Sequence, residues 1–150
     1  MRETIPIAKL LFLAARAGFE LARARLLLSR IRPGDIMQRN ARVAAREAAL
    51  ARTPDEAATN RLCGEMAFAI TRMALHVPWR SDCLVQALAG QNWLARQAVA
   101  SEIVVGTARG REGTFEAHAW LSRGSTVLLG GNVDRFSPLL GPAAAPAGEG

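Results

Sequence analysis

One stretch of the sequence predicts a nucleophile at the start of a helix. Ser81-Asp82-Cys83 precedes apolar residues at helical spacing, which predicts a helix from Ser81 to about Gln97. Ser81 or Asp82 can cap the free backbone N–H groups of the first turn. The positive end of the helix dipole favours the thiolate form of a cysteine placed there. Because the thiolate is the attacking species in cysteine catalysis, Cys83 is the predicted nucleophile.

A catalytic cysteine needs a general base, and the chain has two histidines, His76 and His118. Residues 114–122 contain His118 and follow the pattern of a strand. His76 lies in the last turn of a helix that ends before Pro78, where a cation or a packed surface group is the simplest interpretation. Alone, His118 would be an ordinary half-buried strand residue. In combination with the cysteine helix, it is the predicted general base.

The order of these motifs resembles a known family of enzymes. A cysteine at a helix N-terminus that faces a histidine on a sheet is the arrangement of papain-like and transglutaminase-like enzymes. The chain is more specifically similar to the lasso-peptide leader peptidases, small transglutaminase-like cysteine proteases of bacterial peptide biosynthesis. The resemblance covers residues 79–140. In chain order it rests on Cys83-Leu84, Ala87-Leu88-Ala89, Trp93-Leu94, the strand at 102–106 and Ala117-His118-Ala119-Trp120.

The resemblance implies an acid on the strand after His118, where it would orient the imidazole. With a two-residue turn at 123–124, the position opposite His118 is Leu129, or Gly130 if the turn is slightly longer. Neither of these residues is an acid.

Two polar residues come just beyond that position. Asp134 is the predicted third catalytic residue, and Asn132 is the alternative because an amide can also orient a histidine. For the oxyanion, the backbone N–H of Cys83 is the predicted donor. The indole N–H of Trp79 is a candidate for the second donor.

The function that the resemblance implies is that of a cysteine peptidase. It would remove the leader from a ribosomally synthesised lasso precursor peptide through a Cys–His–Asp thioester mechanism. Its expected partners are the leader region of the precursor peptide, a small leader-binding protein and a ring-closing cyclase. No cofactor and no metal are expected.

Two other functions remain open at this point. A transglutaminase-like acyl transferase would form the same thioester and pass it to an amine instead of water. A basic helical adaptor would bind an acidic protein or a membrane, and its cysteine and histidine would be incidental.

The remaining patterns predict one α+β domain over residues 1–140. Residues 1–76 form a helical part, and residues 77–140 form the Cys/His protease core, with three antiparallel strands against the cysteine helix. From Pro138 onward the chain offers little to bury. Residues 141–150 are predicted to be a disordered tail.

The net charge of +6 comes from the N-terminal part of the chain. Residues 1–52 carry 11 basic and 4 acidic side chains. In the first predicted helix, basic residues recur every seven positions and predict one polar stripe on an otherwise apolar helix, which packs in the core or docks on a partner. They are Lys9, Arg16, Arg23 and Arg30. A basic face attracts acidic peptides, although a solvated arginine-rich surface gives the same pattern.

The two cysteines form neither a disulfide framework nor a metal-site pattern. Cys63 falls within a helical apolar pattern and is predicted to be a small buried core residue. Free thiols suit a reducing compartment. The apolar run at 10–15 is too short for a signal peptide or a membrane span. We therefore expect a cytoplasmic protein without a membrane partner, and the lack of tyrosine argues against nucleic-acid binding by stacking.

Overall fold

Three helices precede the predicted cysteine helix, as the sequence indicates. The structure is a computed structural model that describes residues 5–50 and 55–140, so the predicted tail at 141–150 lies outside the described residues. The helices are α1 (Ile7–Leu28), α2 (Pro33–Ala49), α3 (Glu56–Ala74) and α4 (Cys83–Arg96). None of these described helices is long and apolar enough to cross a membrane.

A four-stranded antiparallel sheet follows the helices and completes the predicted α+β fold. The strands are β1 (Glu102–Arg109), β2 (Phe115–Arg123), β3 (Thr126–Leu129) and β4 (Ser137–Leu140). Their order across the sheet is β3-β2-β1-β4, and each neighbouring pair is antiparallel.

Helix α4 packs on α1 and α3 with one side and on the sheet with the other. Gly90 lets it approach the sheet closely, because a Cβ there would lie 2.7 Å from the Leu129 side chain and 2.8 Å from that of Leu121. Interiors this densely packed hold side chains in fixed positions. The contact therefore fixes the start of α4, and with it Cys83, relative to β2.

A buried polar network ties α2 to α4 and β1. The Asn40 side chain donates to the Ile103 carbonyl and accepts from the Ile103 N–H, both at 2.9 Å, as a neighbouring strand would. Gln91 on α4 donates to Asn40 at 2.9 Å and to the Ser101 carbonyl at 3.1 Å. Arg39 donates in turn to Gln91. Because buried polar groups are costly unless they are paired, this network fixes β1 against the cysteine helix.

The polar stripe predicted along α1 is wrong at Arg16. This side chain turns inward, pairs with the fully buried Glu20 at 3.3 Å and lies 5.1 Å from the centre of the Trp93 ring. Arg96 of α4 reaches the same carboxylate at 3.1 Å. Because the buried Glu20 charge must be paired, Arg16 leans towards it and keeps only 22 % of its side chain exposed.

The fourth strand corrects the prediction of three strands and of a frayed chain from Pro138. Strand β4 pairs with β1, with Pro138 opposite Gly106 and Leu140 opposite Val105. The edge of β1 would otherwise present unpaired N–H and C=O groups. Strand β4 pairs with these groups through its backbone, so it needs few apolar side chains. Proline is tolerated because β4 is an edge strand.

The turn between β2 and β3 also differs from the prediction. Arg123 pairs with Thr126, so the turn comes one residue later than the predicted 123–124. In addition, the pairing of β2 with β3 shifts by one residue between Leu121 and Ser122. Counting back from the turn therefore does not locate the group that faces the histidine.

Candidate active site

Helix α4 begins at Cys83, two residues after the predicted start at Ser81, and Asp82 is its N-cap residue by position. The predicted side-chain cap is wrong: the Asp82 carboxylate makes no bond to the helix N–H groups and pairs with Arg80 at 3.3 Å. The preceding loop is held instead by Gln86, whose side chain donates to the Ser81 carbonyl at 2.9 Å. The N–H groups at the helix start are left without a side-chain acceptor from the N-cap residue.

The Cys83 thiol contacts the strand that carries the predicted base. It is half-buried, and its Sγ accepts a hydrogen bond from the Ala119 N–H at 3.4 Å. Ala119 follows His118 directly, so the sulfur lies beside the peptide bond that joins the two residues. A donated N–H stabilises negative charge on an acceptor. The structure thus brings together the two segments that the sequence singled out.

The His118 ring is oriented by a backbone carbonyl. Its Nε2 lies 2.8 Å from the Gly130 carbonyl oxygen, which can only accept. Nε2 therefore carries the proton in this arrangement. In the neutral ring Nδ1 is then the unprotonated nitrogen, and this is the atom that can act as a base.

Two aromatic rings hold His118 in place. The Trp120 ring is stacked at 26° with its centroid 6.2 Å away, and the Phe136 ring is tilted at 33° with its centroid 5.0 Å away. Trp120 can extend along the sheet because Gly106 has no side chain: a Cβ there would lie 2.8 Å from the indole ring. The aromatic contacts restrict rotation of the imidazole.

The residues 130–136, which we call the histidine loop, run from the Gly130 carbonyl to Phe136. Arg135 fastens this loop to β2 through an ion pair with Glu116, and its guanidinium lies 4.5 Å from the centre of the Phe136 ring. The sequence analysis names Gly130 as the alternative to Leu129 opposite His118, but it does not identify the Gly130 carbonyl as the contact, and it misses Phe136. The adjacent glycines at 130 and 131 were a usable signal, because such pairs mark backbone that side chains would obstruct.

Gly130 has no substitute at its position. Its φ is +122°, and an added Cβ would collide with the Cβ of Trp120 and lie 3.4 Å from Nε2 of His118. Only glycine adopts such a backbone without strain. Because residue 130 is a glycine, the backbone can adopt the conformation that directs the Gly130 carbonyl at His118.

Both candidates for the third catalytic residue lie in the histidine loop and are exposed. The Asp134 N–H donates to Oδ1 of Asn132 at 2.9 Å, which is a local turn interaction. Within the described chain, the groups that contact the His118 ring are the Gly130 carbonyl and two aromatic rings. A direct role for the Asp134 carboxylate stays a prediction.

Cys63 is the buried core residue that the sequence predicts. It lies in α3 with 4 % of its surface exposed. Burial raises the pKa of its thiol, because desolvation opposes the thiolate. Cys63 is therefore held as an uncharged thiol, away from the solvent that a nucleophile must meet.

Trp79 lies in the segment that leads to α4. Its indole N–H is buried and has no hydrogen-bond partner among the described residues. Its role as second oxyanion donor stays a prediction. No group of three or more metal-binding side chains occurs in the described ranges 5–50 and 55–140.

The model of the transglutaminase-like superfamily matches residues 27–141, which is most of the chain. The match contains α2, α3, α4 and the whole sheet, and α1 lies almost entirely before it. No curated protein and no solved structure matches the chain.

Proposed function

The chain belongs to the transglutaminase-like superfamily, and from that premise we propose that it is a cysteine peptidase with Cys83 as nucleophile and His118 as base. One observation carries this proposal: the Ala119 N–H donates to Cys83 Sγ at 3.4 Å. That contact places a thiol at a helix start against the peptide of the histidine. Nucleophile and base are the two groups that thioester chemistry requires.

The proposed reaction begins when His118 Nδ1 takes the thiol proton and Cys83 Sγ attacks the substrate carbonyl carbon. The carbonyl oxygen becomes an oxyanion, which the backbone N–H of Cys83 stabilises at the start of α4. The imidazolium then returns its proton to the leaving amine as the C–N bond breaks, which leaves a thioester on Cys83. Water attacks this thioester as it gives a proton to Nδ1, and the imidazolium returns that proton to the leaving Cys83 sulfur, which releases the carboxylic acid product and the free thiol.

Two groups support the histidine in this proposal. The Gly130 carbonyl accepts from Nε2 at 2.8 Å and keeps Nδ1 as the proton acceptor. Asp134, four residues further along the histidine loop, is the proposed carboxylate that stabilises the imidazolium when it forms. The indole N–H of Trp79 is the proposed second oxyanion donor.

The proposed substrate is a lasso precursor peptide, from which the enzyme removes the leader. This finer assignment rests on the resemblance of residues 79–140 to leader peptidases. The proposed partners are the leader region, a small leader-binding protein and a ring-closing cyclase that accepts the freed core. We propose a cytoplasmic location, since Cys63 and Cys83 are both free thiols.

The test is cleavage of the precursor peptide from the same gene cluster in the presence of its leader-binding protein, followed by mass spectrometry. We expect two fragments whose masses add up to the precursor plus one water. Cys83→Ala should abolish cleavage, and Cys63→Ala, the matched cysteine control, should retain it. A product joined to an added amine would indicate an acyl transferase. Cleavage that survives Cys83→Ala would refute the proposed chemistry.

A further inference from the structure

The outer side of α1 is apolar, although the core lies on its opposite side. Phe12, Phe19 and Leu26 are 62 %, 56 % and 73 % exposed, and they recur every seven residues. Small residues alternate with them at the same spacing. They are Ala8, Ala15 and Ala22. We call these six residues the outer stripe.

The spacing of the outer stripe is that of a coiled-coil seam. The steps from Ala8 to Leu26 alternate between four and three residues, and each large side chain is followed by a small one. Large residues act as knobs for a facing helix, and small residues leave holes for its knobs. Binding to a membrane surface requires an apolar face but does not require large and small residues to alternate. The pattern favours a second helix as the occupant.

The charges beside the outer stripe are positive. Arg23, Arg25 and Arg30 are exposed, and none of them is ion-paired within the described residues. Arg23 and Arg25 take positions that flank a coiled-coil seam, where interhelical ion pairs form, and Arg30 lies in the turn just after α1 ends at Leu28. The acid of the helix, Glu20, is buried and already paired.

The positive charge extends from α1 onto α2. Burial lowers the pKa of Arg39, and the neighbouring Arg23 and Arg42 lower it further. The contributions of Arg23 and Arg42 indicate that these two cations lie near Arg39. An approaching acidic surface is therefore attracted to this side of the molecule.

A notch of about 250 Å³ opens beside the outer stripe, between Ala22, Arg25, Leu26 and Trp79. It has room for an apolar side chain of a docked helix. Trp79 lies four residues before Cys83 in the chain, so an occupant of the notch would contact the segment that leads to the nucleophile.

We propose that the outer stripe of α1 docks an amphipathic helix of a partner protein, with acidic residues on both sides of its apolar seam. A second copy of this chain fits less well, because it would bring Arg23, Arg25 and Arg30 of two molecules together. The inference goes beyond the proposed peptidase activity and does not depend on it, since docking is measured without any substrate.

The test uses three synthetic helical peptides of four heptads that share one leucine seam and carry glutamate, glutamine or lysine at the flanking positions. Binding to the full chain is measured by fluorescence anisotropy at low and high salt. We expect the glutamate peptide to bind about tenfold or more tightly than the glutamine peptide, and the lysine peptide to bind least. Added salt should reduce the difference.

A charge-swapped variant sharpens the test. Arg23→Glu/Arg25→Glu/Arg30→Glu should reverse the preference, so that the lysine peptide binds and the glutamate peptide does not. The control changes the same charge at three exposed arginines elsewhere and should keep the original preference. It is Arg46→Glu/Arg61→Glu/Arg111→Glu. Circular dichroism confirms that both variants are folded.

Several outcomes overturn the proposal. The first is a glutamate peptide that fails to bind, or that binds no better than the lysine peptide. The second is a control variant that reverses the preference as the charge-swapped variant does. A third is a dimer in sedimentation velocity that Phe19→Ser dissociates, which would assign the outer stripe to a second copy. A fourth is binding to anionic vesicles that Phe19→Ser abolishes while no peptide binds, which would assign it to a membrane.

Discussion

Replacing Gly130 by alanine tests whether a backbone carbonyl orients His118, the proposed base. The neighbouring Gly131 provides a matched control, because it lies in the same loop and also has a positive φ, +69°. Apart from Gly131 and its two chain neighbours, no atom of the described residues would lie within 4 Å of a Cβ at Gly131. The two substitutions therefore differ in whether the new methyl group disturbs the histidine.

The expected cost of Gly130→Ala has two parts. A non-glycine residue at φ +122° costs about 1–3 kcal/mol of backbone strain. The new Cβ would overlap the Cβ of Trp120, which no change of rotamer can move, so backbone has to shift at a further cost of about 1–3 kcal/mol. We expect the free energy of unfolding to fall by roughly 2–6 kcal/mol for Gly130→Ala and by about 1–2 kcal/mol for Gly131→Ala.

The effect on catalysis should exceed the effect on the folded fraction. When the Gly130 carbonyl moves, Nε2 of His118 loses the acceptor at 2.8 Å and the ring can rotate or change tautomer. Because a positioned base contributes about 10²–10⁴-fold, we expect precursor cleavage by folded Gly130→Ala to fall about 10²-fold or more. Gly131→Ala should stay within about tenfold of the wild-type rate.

Three measurements separate stability from orientation. Urea unfolding gives the folded fraction, and cleavage is then compared at equal amounts of folded protein. Nitrogen-15 NMR of the wild-type imidazole should show the proton of the neutral ring on Nε2 of His118. A ring protonated on Nδ1, or a folded Gly130→Ala protein that cleaves at the wild-type rate, would refute the role of the carbonyl.

The remaining predictions concern the thiols, the third residue and the buried network. Iodoacetamide near neutral pH should alkylate Cys83 in the native protein and reach Cys63 only after unfolding, because burial raises the pKa of the Cys63 thiol. Peptide mapping that finds Cys63 labelled first would contradict this. Asp134→Ala should slow cleavage by about one to three orders of magnitude and Asn132→Ala by less; wild-type activity in Asp134→Ala would leave the backbone carbonyl as the orienting group. Asn40→Ala should lower the free energy of unfolding by about 1–3 kcal/mol for each β1 backbone group left unpaired, and an unchanged urea midpoint would refute this.

The parts of the site that are predictable from sequence are those with a local signature. A cysteine preceded by capping residues and followed by helical spacing marks Cys83, and alternation in a short strand marks His118. Both lie where the sequence predicts, on a helix start and on a sheet strand. The contact of Cys83 with Ala119, the residue after His118, depends on close packing of α4 on β2, to which Gly90 contributes from the middle of the helix.

The group that faces the histidine could not be predicted in the same way. It is a backbone carbonyl, and every residue has one, so no residue type identifies it. A register shift between Leu121 and Ser122 also invalidates counting from the turn. In α1, Arg16 and Glu20 are four residues apart and could be paired from the sequence, but the burial of Glu20 and its second pair with Arg96 depend on the packing of α1 against α4.

Mass spectrometry of the acyl-enzyme tests the central claim most directly. The protein is mixed with precursor peptide and leader-binding protein, quenched in acid during turnover and digested. We predict that the peptide containing Cys83 carries the mass of the acyl fragment, that hydroxylamine removes it, and that Cys83→Ala shows neither adduct nor cleavage. An adduct on Cys63, or cleavage that continues in Cys83→Ala, would contradict the account.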